Sequence, residues 1–158
     1  VWSAFAGTVG GSAAGLTGLM FIVVAFRYDV VAVSREYRNR AAQALTLFMT
    51  VTVSAALIVI PQPTWALGIE LLGAAAASAI LLLVLDAAAR AGSSKRAQPV
   101  LVVALTAFEA GIALGGAFCL AGRGDGLGFY APSALLGLLW GVYGAWIFLT
   151  RAGTEATS

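Results

Sequence analysis

Glu109 is the residue with the clearest chemistry to offer, and its surroundings make it costly. It sits in "TAFEAGIALGGAF", residues 106–118, within an apolar run long enough to cross a bilayer. A charged side chain at that depth costs about 3 kcal/mol on insertion scales, so it is kept with a partner, a proton or a task. The chain has no histidine, and its single cysteine is Cys119. Those two facts exclude a bis-histidine haem, a zinc site of His and Cys ligands, a Ser/His or Cys/His catalytic pair and an intramolecular disulfide. A lone carboxyl can act as acid or base, but no nucleophile stands beside a base and no cluster of metal ligands is visible. Enzyme chemistry is therefore the least favoured class, and no cofactor or metal is expected.

The elements that must position Glu109 follow from composition. Hydrophobic residues make up 61% of the 158 residues and charged residues 10%, against about a quarter charged in soluble domains. The expected fold is an all-α integral membrane protein, a single membrane domain over 1–158 whose loops, at most about 15 residues, are too short for a soluble domain. A net charge of +2 gives no case for nucleic acid. Five stretches match the roughly 20 residues of a spanning helix, at about 3–26, 41–60, 65–85, 99–120 and 131–150. The first has no basic n-region and is too long for a signal-peptide core, so it reads as a retained helix. Arg27, Arg35, Arg38, Arg40, Arg90, Lys95, Arg96 and Arg151 fall on one side of this arrangement and Arg123 on the other. The bias places the N-terminus outside and the C-terminus in the cytoplasm. It also disfavours a four-helix alternative with a re-entrant run.

Depth arithmetic gathers polar groups around Glu109. At 1.5 Å per residue it lies roughly 16 Å below the outer end of helix four, near the midplane. Thr50 falls at the same level on helix two, Trp140 and Tyr143 lie nearby on helix five, and Thr106 is one turn away on helix four. Glu70 is shallower on helix three, level with Ser54. Asp86 lies four residues before Arg90 and reads as a surface pair with it. No cation shares the layer of Glu109, which favours a neutral carboxyl bonded to a hydroxyl of helix two or helix five. The competing reading is a group that changes protonation or binds a cation during a cycle.

Small residues recur every four positions: Gly7, Gly11 and Gly15 on helix one, with Gly18 close by; Gly111 and Gly115 on helix four; and Ser133, Gly137, Gly141 and Ala145 on helix five. Such stripes let helix backbones approach closely in lipid, within one chain or between chains. Helix two carries a polar stripe instead, Gln43, Thr46, Thr50 and Ser54. Its hydroxyls can bond their own backbone or line a polar path. The connection "PQPTW" makes helices two and three antiparallel neighbours and puts Trp65 at the outer interface. "RYDVVAVSREYRNR" and "RAGSSKRAQP" read as positive inner loops, the first with Val30, Val31, Val33 and Tyr37 available to lie on the membrane surface. "GRGDGLGFYAP" lacks the Gly-Lys-Ser/Thr ending of a phosphate loop and reads as an outer turn with interfacial Phe129 and Tyr130.

The order "GLTGLMFIVVAF", "RNRAAQALTLFMTV", "IPQPTWALGIELLG" and "GLGFYAPSALLGLLWGVYGAWIFLTR" resembles a family of small uncharacterised bacterial membrane proteins, frequent in actinobacteria. Some of its members are labelled modulators of a membrane-bound ATP-dependent protease. The resemblance spans most of the chain and rests on packing and turn motifs. It implies a multi-pass protein of the bacterial inner membrane and carries over no functional residue. The last helix departs from the family's usual Asn before "AW" and acidic residue after it, reading Gly144 and Thr150. Two functions lead. The first is a non-catalytic modulator or structural subunit of a membrane complex or homo-oligomer. The alternative is a small oligomeric channel or a proton- or cation-coupled carrier using Glu109.

Overall fold

A computed structural model describes residues 1–26, 28, 34–90 and 99–155. The described chain is helical, in the order α1 (Trp2–Phe26), α2 (Arg35–Val59), α3 (Thr64–Arg90), α4 (Pro99–Leu120), a 3-10 turn (Gly124–Gly126) and α5 (Leu127–Glu155). All five α-helices are long and apolar enough to cross a membrane, which fits a multi-pass membrane protein. The second inner loop, residues 91–98, and Val30, Val31 and Val33 of the first lie outside the described residues.

Helices α2, α3, α4 and α5 form a bundle in which each packs on two neighbours, and α1 lies outside it against α2, with a lighter contact on α5. Helix α2 is the hub. Half of its spanning stretch is buried, 50% against 22% for α1, and its polar stripe faces inward, with Gln43, Thr46, Thr50 and Ser54 all buried. The stripe survives burial because its hydroxyls bond carbonyls one turn back: Thr46 to Ala42 at 2.8 Å, Thr50 to Thr46 at 2.8 Å and Ser54 to Thr50 at 2.6 Å.

The helix ends have local causes. Ser34 caps α2, its hydroxyl accepting from the Tyr37 amide at 3.5 Å. The helix thus starts at Arg35, six residues before the expected 41, and part of the basic loop becomes its first turns. Helix α4 closes in a Schellman arrangement. Gly122 takes the left-handed φ of 77°, its amide donates to the Cys119 carbonyl at 3.0 Å, and the Arg123 amide reaches the Phe118 carbonyl at 2.9 Å. Beyond it, Arg123 and Asp125 pair at 3.3 Å, both exposed.

Helix α5 corrects the expectation of an outer turn over "GFYAP". Pro132 reads from sequence as a first-turn proline, but the helix begins at Leu127 and carries Pro132 inside it. The hydrogen bond it removes leaves the Gly128 carbonyl without its helical donor, and Gly128 is exposed, so no buried acceptor is stranded. Tyr130, expected at the interface, is 0% exposed. It stands edge-on to Phe5, with ring centroids 6.4 Å apart, and Trp2 stands edge-on to Phe5 at 6.2 Å. This aromatic file fastens the start of α1 to α5.

The glycine stripes divide in two. On α5, a Cβ at Gly137 would strike the Phe108 ring and come within 3.2 Å of Val51, and one at Gly141 would strike the Phe48 ring. Those gaps seat buried rings from α4 and α2. Gly111 meets Ser133, and a Cβ at Gly115 would lie 3.3 Å from the Gly126 carbonyl oxygen. On α1 the stripe points away from the bundle: a Cβ at Gly7, Gly11, Gly15 or Gly18 would meet nothing within 4 Å. Helix α1 packs instead through Ala6, Val9, Gly10, Ala13, Thr17 and Met20. At Gly10 a Cβ would lie 2.6 Å from the Cβ of Ala55.

Candidate functional site

Glu109 projects from α4 onto α3, where Ser78 Oγ donates to its Oε1 at 2.6 Å. Ser78 Oγ is also 2.8 Å from Thr50 Oγ1 on α2, which is 2.8 Å from the carbonyl oxygen of Thr46. Three helices therefore share one file of hydroxyls that ends on a carboxyl. Two features of the backbone bring them together. Helices α3 and α4 come close because neither Gly68 nor Gly116 has a side chain; a Cβ on Gly116 would stand 3.0 Å from the Gly68 carbonyl oxygen. Side chains lean toward the N-terminus of their own helix, so groups on antiparallel neighbours lean toward each other.

Each hydroxyl has one proton, so the file has two consistent directions. In one, Thr50 donates to Ser78 and Ser78 to Glu109, and the carboxyl only accepts. In the other, a neutral Glu109 donates from Oε1 to Ser78, Ser78 to Thr50 and Thr50 to the Thr46 carbonyl, and every proton has an acceptor. In both, Glu109 Oε2 is buried without a hydrogen-bond partner among the described residues.

A cleft of about 510 Å³ runs between α3 and α4. Leu72, Ala76 and Leu83 line one side and Val102, Thr106 and Glu109 the other, with Asp86 at one end. A second cleft of about 410 Å³ lies on the other flank of α3, against α2, and reaches Thr50 and Ser78. The hydroxyl file crosses behind α3 between the two.

The structure redistributes the polar groups expected in one layer. Thr50 reaches Glu109 through Ser78. Thr106 lies exposed on the same cleft, outside the hydroxyl file. Trp140 and Tyr143 are elsewhere: their rings pack at a tilt of 52° with centroids 5.5 Å apart and line a small cleft with Arg40 and Gln43. The reason is rotational. Helix α4 turns Phe108, Gly111 and Gly115 to α5, which leaves Glu109 facing α3. The hydroxyl at Glu109 thus comes from helix three, where helix two or five was expected. Glu70 does not meet Ser54. Its Oε2 accepts from Gln62 Nε2 at 2.8 Å, and the same amide donates to the Leu57 carbonyl at 3.0 Å, bracing the Pro-rich turn.

Sequence reasoning missed Ser78, although it is the single hydroxyl residue in 65–85. It also missed Gly68 and Gly10, whose close contacts belong to no four-residue glycine stripe.

No protein-family model, no curated protein and no solved structure matches this chain. The class defined by the fold is an all-helical protein with five helices able to span a membrane.

Proposed function

We propose that the protein is a non-catalytic multi-pass subunit of the bacterial inner membrane, a modulator or structural element that joins another membrane helix through the open face of α1. Its N-terminus lies outside and its C-terminus in the cytoplasm, following the arginine bias. The observation that carries the reading is the emptiness beside Gly7, Gly11, Gly15 and Gly18. The neighbouring row is as smooth: Thr8 and Ser12 donate to the Ala4 and Thr8 carbonyls at 3.0 and 2.9 Å, so neither hydroxyl is left seeking a partner. In lipid, where apolar area alone drives no association, a face of this kind gains contact only from another helix at short range. The resemblance to labelled modulators points the same way.

A photo-crosslinking residue at Gly11, activated in the native membrane, tests this. The expected product is a protein adduct, of the chain with itself or with another membrane protein, while the same residue at the exposed Leu81 gives none. Adducts with lipid alone at Gly11 contradict the reading.

The alternative, a channel or a proton- or cation-coupled carrier using Glu109, draws support from the unpartnered Oε2 beside the α3/α4 cleft. It ranks second because the space between the bundle helices is filled by Phe48, Val51, Phe108 and Ile112, all fully buried.

A further inference from the structure

We propose that the cleft between α3 and α4 is a binding site for a small lipophilic amine, whose protonated nitrogen is held by Glu109. This goes beyond the subunit reading and does not depend on it.

Three observations define the occupant. Size comes first: about 510 Å³ falls in the range of small-molecule pockets and is far too small for a folded partner. Lining comes second. Leu72, Leu82, Leu83, Val102 and Leu105 supply an apolar wall, and Ala76, Ala79, Ala110 and Ala113 leave the space itself open. The third is the unclaimed oxygen. Oε1 of Glu109 is taken by Ser78, but Oε2 is buried with no donor facing it among the described residues. A buried acceptor left in that state costs free energy, and because Glu109 lines the cleft a turn of its carboxyl brings Oε2 to a donor bound there, which recovers that cost.

Charge decides the chemistry of that donor. Glu109 and Asp86 are the charged groups of the lining, and both are acidic. Asp86 has an interaction of its own, which leaves Glu109 as the anchor and Asp86 as a second source of negative potential toward one end. An anion is repelled, and a neutral hydrocarbon leaves Oε2 bare. An ammonium on an apolar body satisfies the oxygen and fills the cleft, in the pattern of an apolar pocket with a few polar groups that fix orientation. The ion pair forms with Oε2 while Ser78 donates to Oε1, so the accepting direction of the hydroxyl file is the one bound amine selects.

The test uses the full chain in lipid nanodiscs with dansylcadaverine, a fluorescent primary amine, and its neutral N-acetyl derivative. The expected result is saturable, equimolar binding of the amine above empty discs and none of the neutral derivative. Glu109→Gln should weaken binding about tenfold or more, the size of one charge-assisted hydrogen bond. Ala76→Leu, which keeps Glu109 and narrows the cleft, should also weaken it, and Glu70→Gln should leave it unchanged. Absence of saturable binding to the parent overturns the proposal. So does equal binding of the neutral derivative, which would make the cleft a seat for acyl chains. Unchanged affinity in Glu109→Gln overturns it too.

Discussion

Removing the hydroxyl that links three helices should destabilise the bundle more than removing the groups at either end of the file. Ser78→Ala deletes the donor 2.6 Å from Glu109 Oε1 and leaves both carboxyl oxygens without a partner among the described residues, because Oε2 already has none there. A buried group stranded in this way costs about 1–3 kcal/mol. The gain in helix propensity from serine to alanine returns at most about 0.5 kcal/mol. Thr50 loses little, since the Thr46 carbonyl is still 2.8 Å away. Glu109→Leu should cost about 1 kcal/mol or less: leucine suits the apolar cleft, and Ser78 keeps Thr50 as a partner at 2.8 Å. The double variant should then be less destabilised than the sum of the singles, by the 0.6–1.7 kcal/mol, roughly, of interhelical hydrogen bonds measured in membranes. Reversible unfolding in mixed lipid–detergent micelles, followed by tryptophan fluorescence, gives all four free energies. Strict additivity, or a Ser78→Ala protein as stable as the parent, refutes the reasoning.

Glu109→Gln should fold and melt like the parent, because an amide donates to Ser78 as readily as a neutral carboxyl does; a large drop in melting temperature would show that the ionised carboxylate is required. Gly141→Leu should destabilise the chain by about 1–3 kcal/mol or more by displacing the Phe48 ring, while Gly11→Leu should leave the melting of the single chain unchanged. Tyr130→Phe should change stability by about 1 kcal/mol or less, since the buried hydroxyl it removes faces Ser54 without a hydrogen bond of good geometry; a larger loss would show that the two hydroxyls are bonded. For topology, a cysteine at Asp125 should react only with reagent applied outside and one at Arg38 only from the cytoplasm.

The number of helices was legible because apolar runs near 20 residues between charged or Pro/Gly-rich breaks leave little choice. Their ends were less so. Pro132 looks like a first-turn residue, yet α5 starts five residues earlier at Leu127, where an exposed position tolerates the lost hydrogen bond. Thr50 and Glu109, expected at one level, are linked through Ser78. What linear spacing omits is rotation about each helix axis. That angle is set by which gaps the glycines leave for Phe48 and Phe108, and it carried Trp140 and Tyr143 away from Glu109 and brought in Ser78. The same ambiguity hid the difference between the stripes. Gly137 and Gly141 on α5 and Gly7, Gly11 and Gly15 on α1 share a spacing, but only the first pair has rings to receive.

The most direct test of the central claim is the mass of the assembly extracted from its own membrane into native polymer nanodiscs, for the parent and for the Gly11→Leu/Gly15→Leu double variant. The account predicts a parent species larger than the 16.1 kDa chain and a double variant that runs as the single chain and is still folded. A parent that runs as the single chain, or an assembly that survives both substitutions intact, contradicts it.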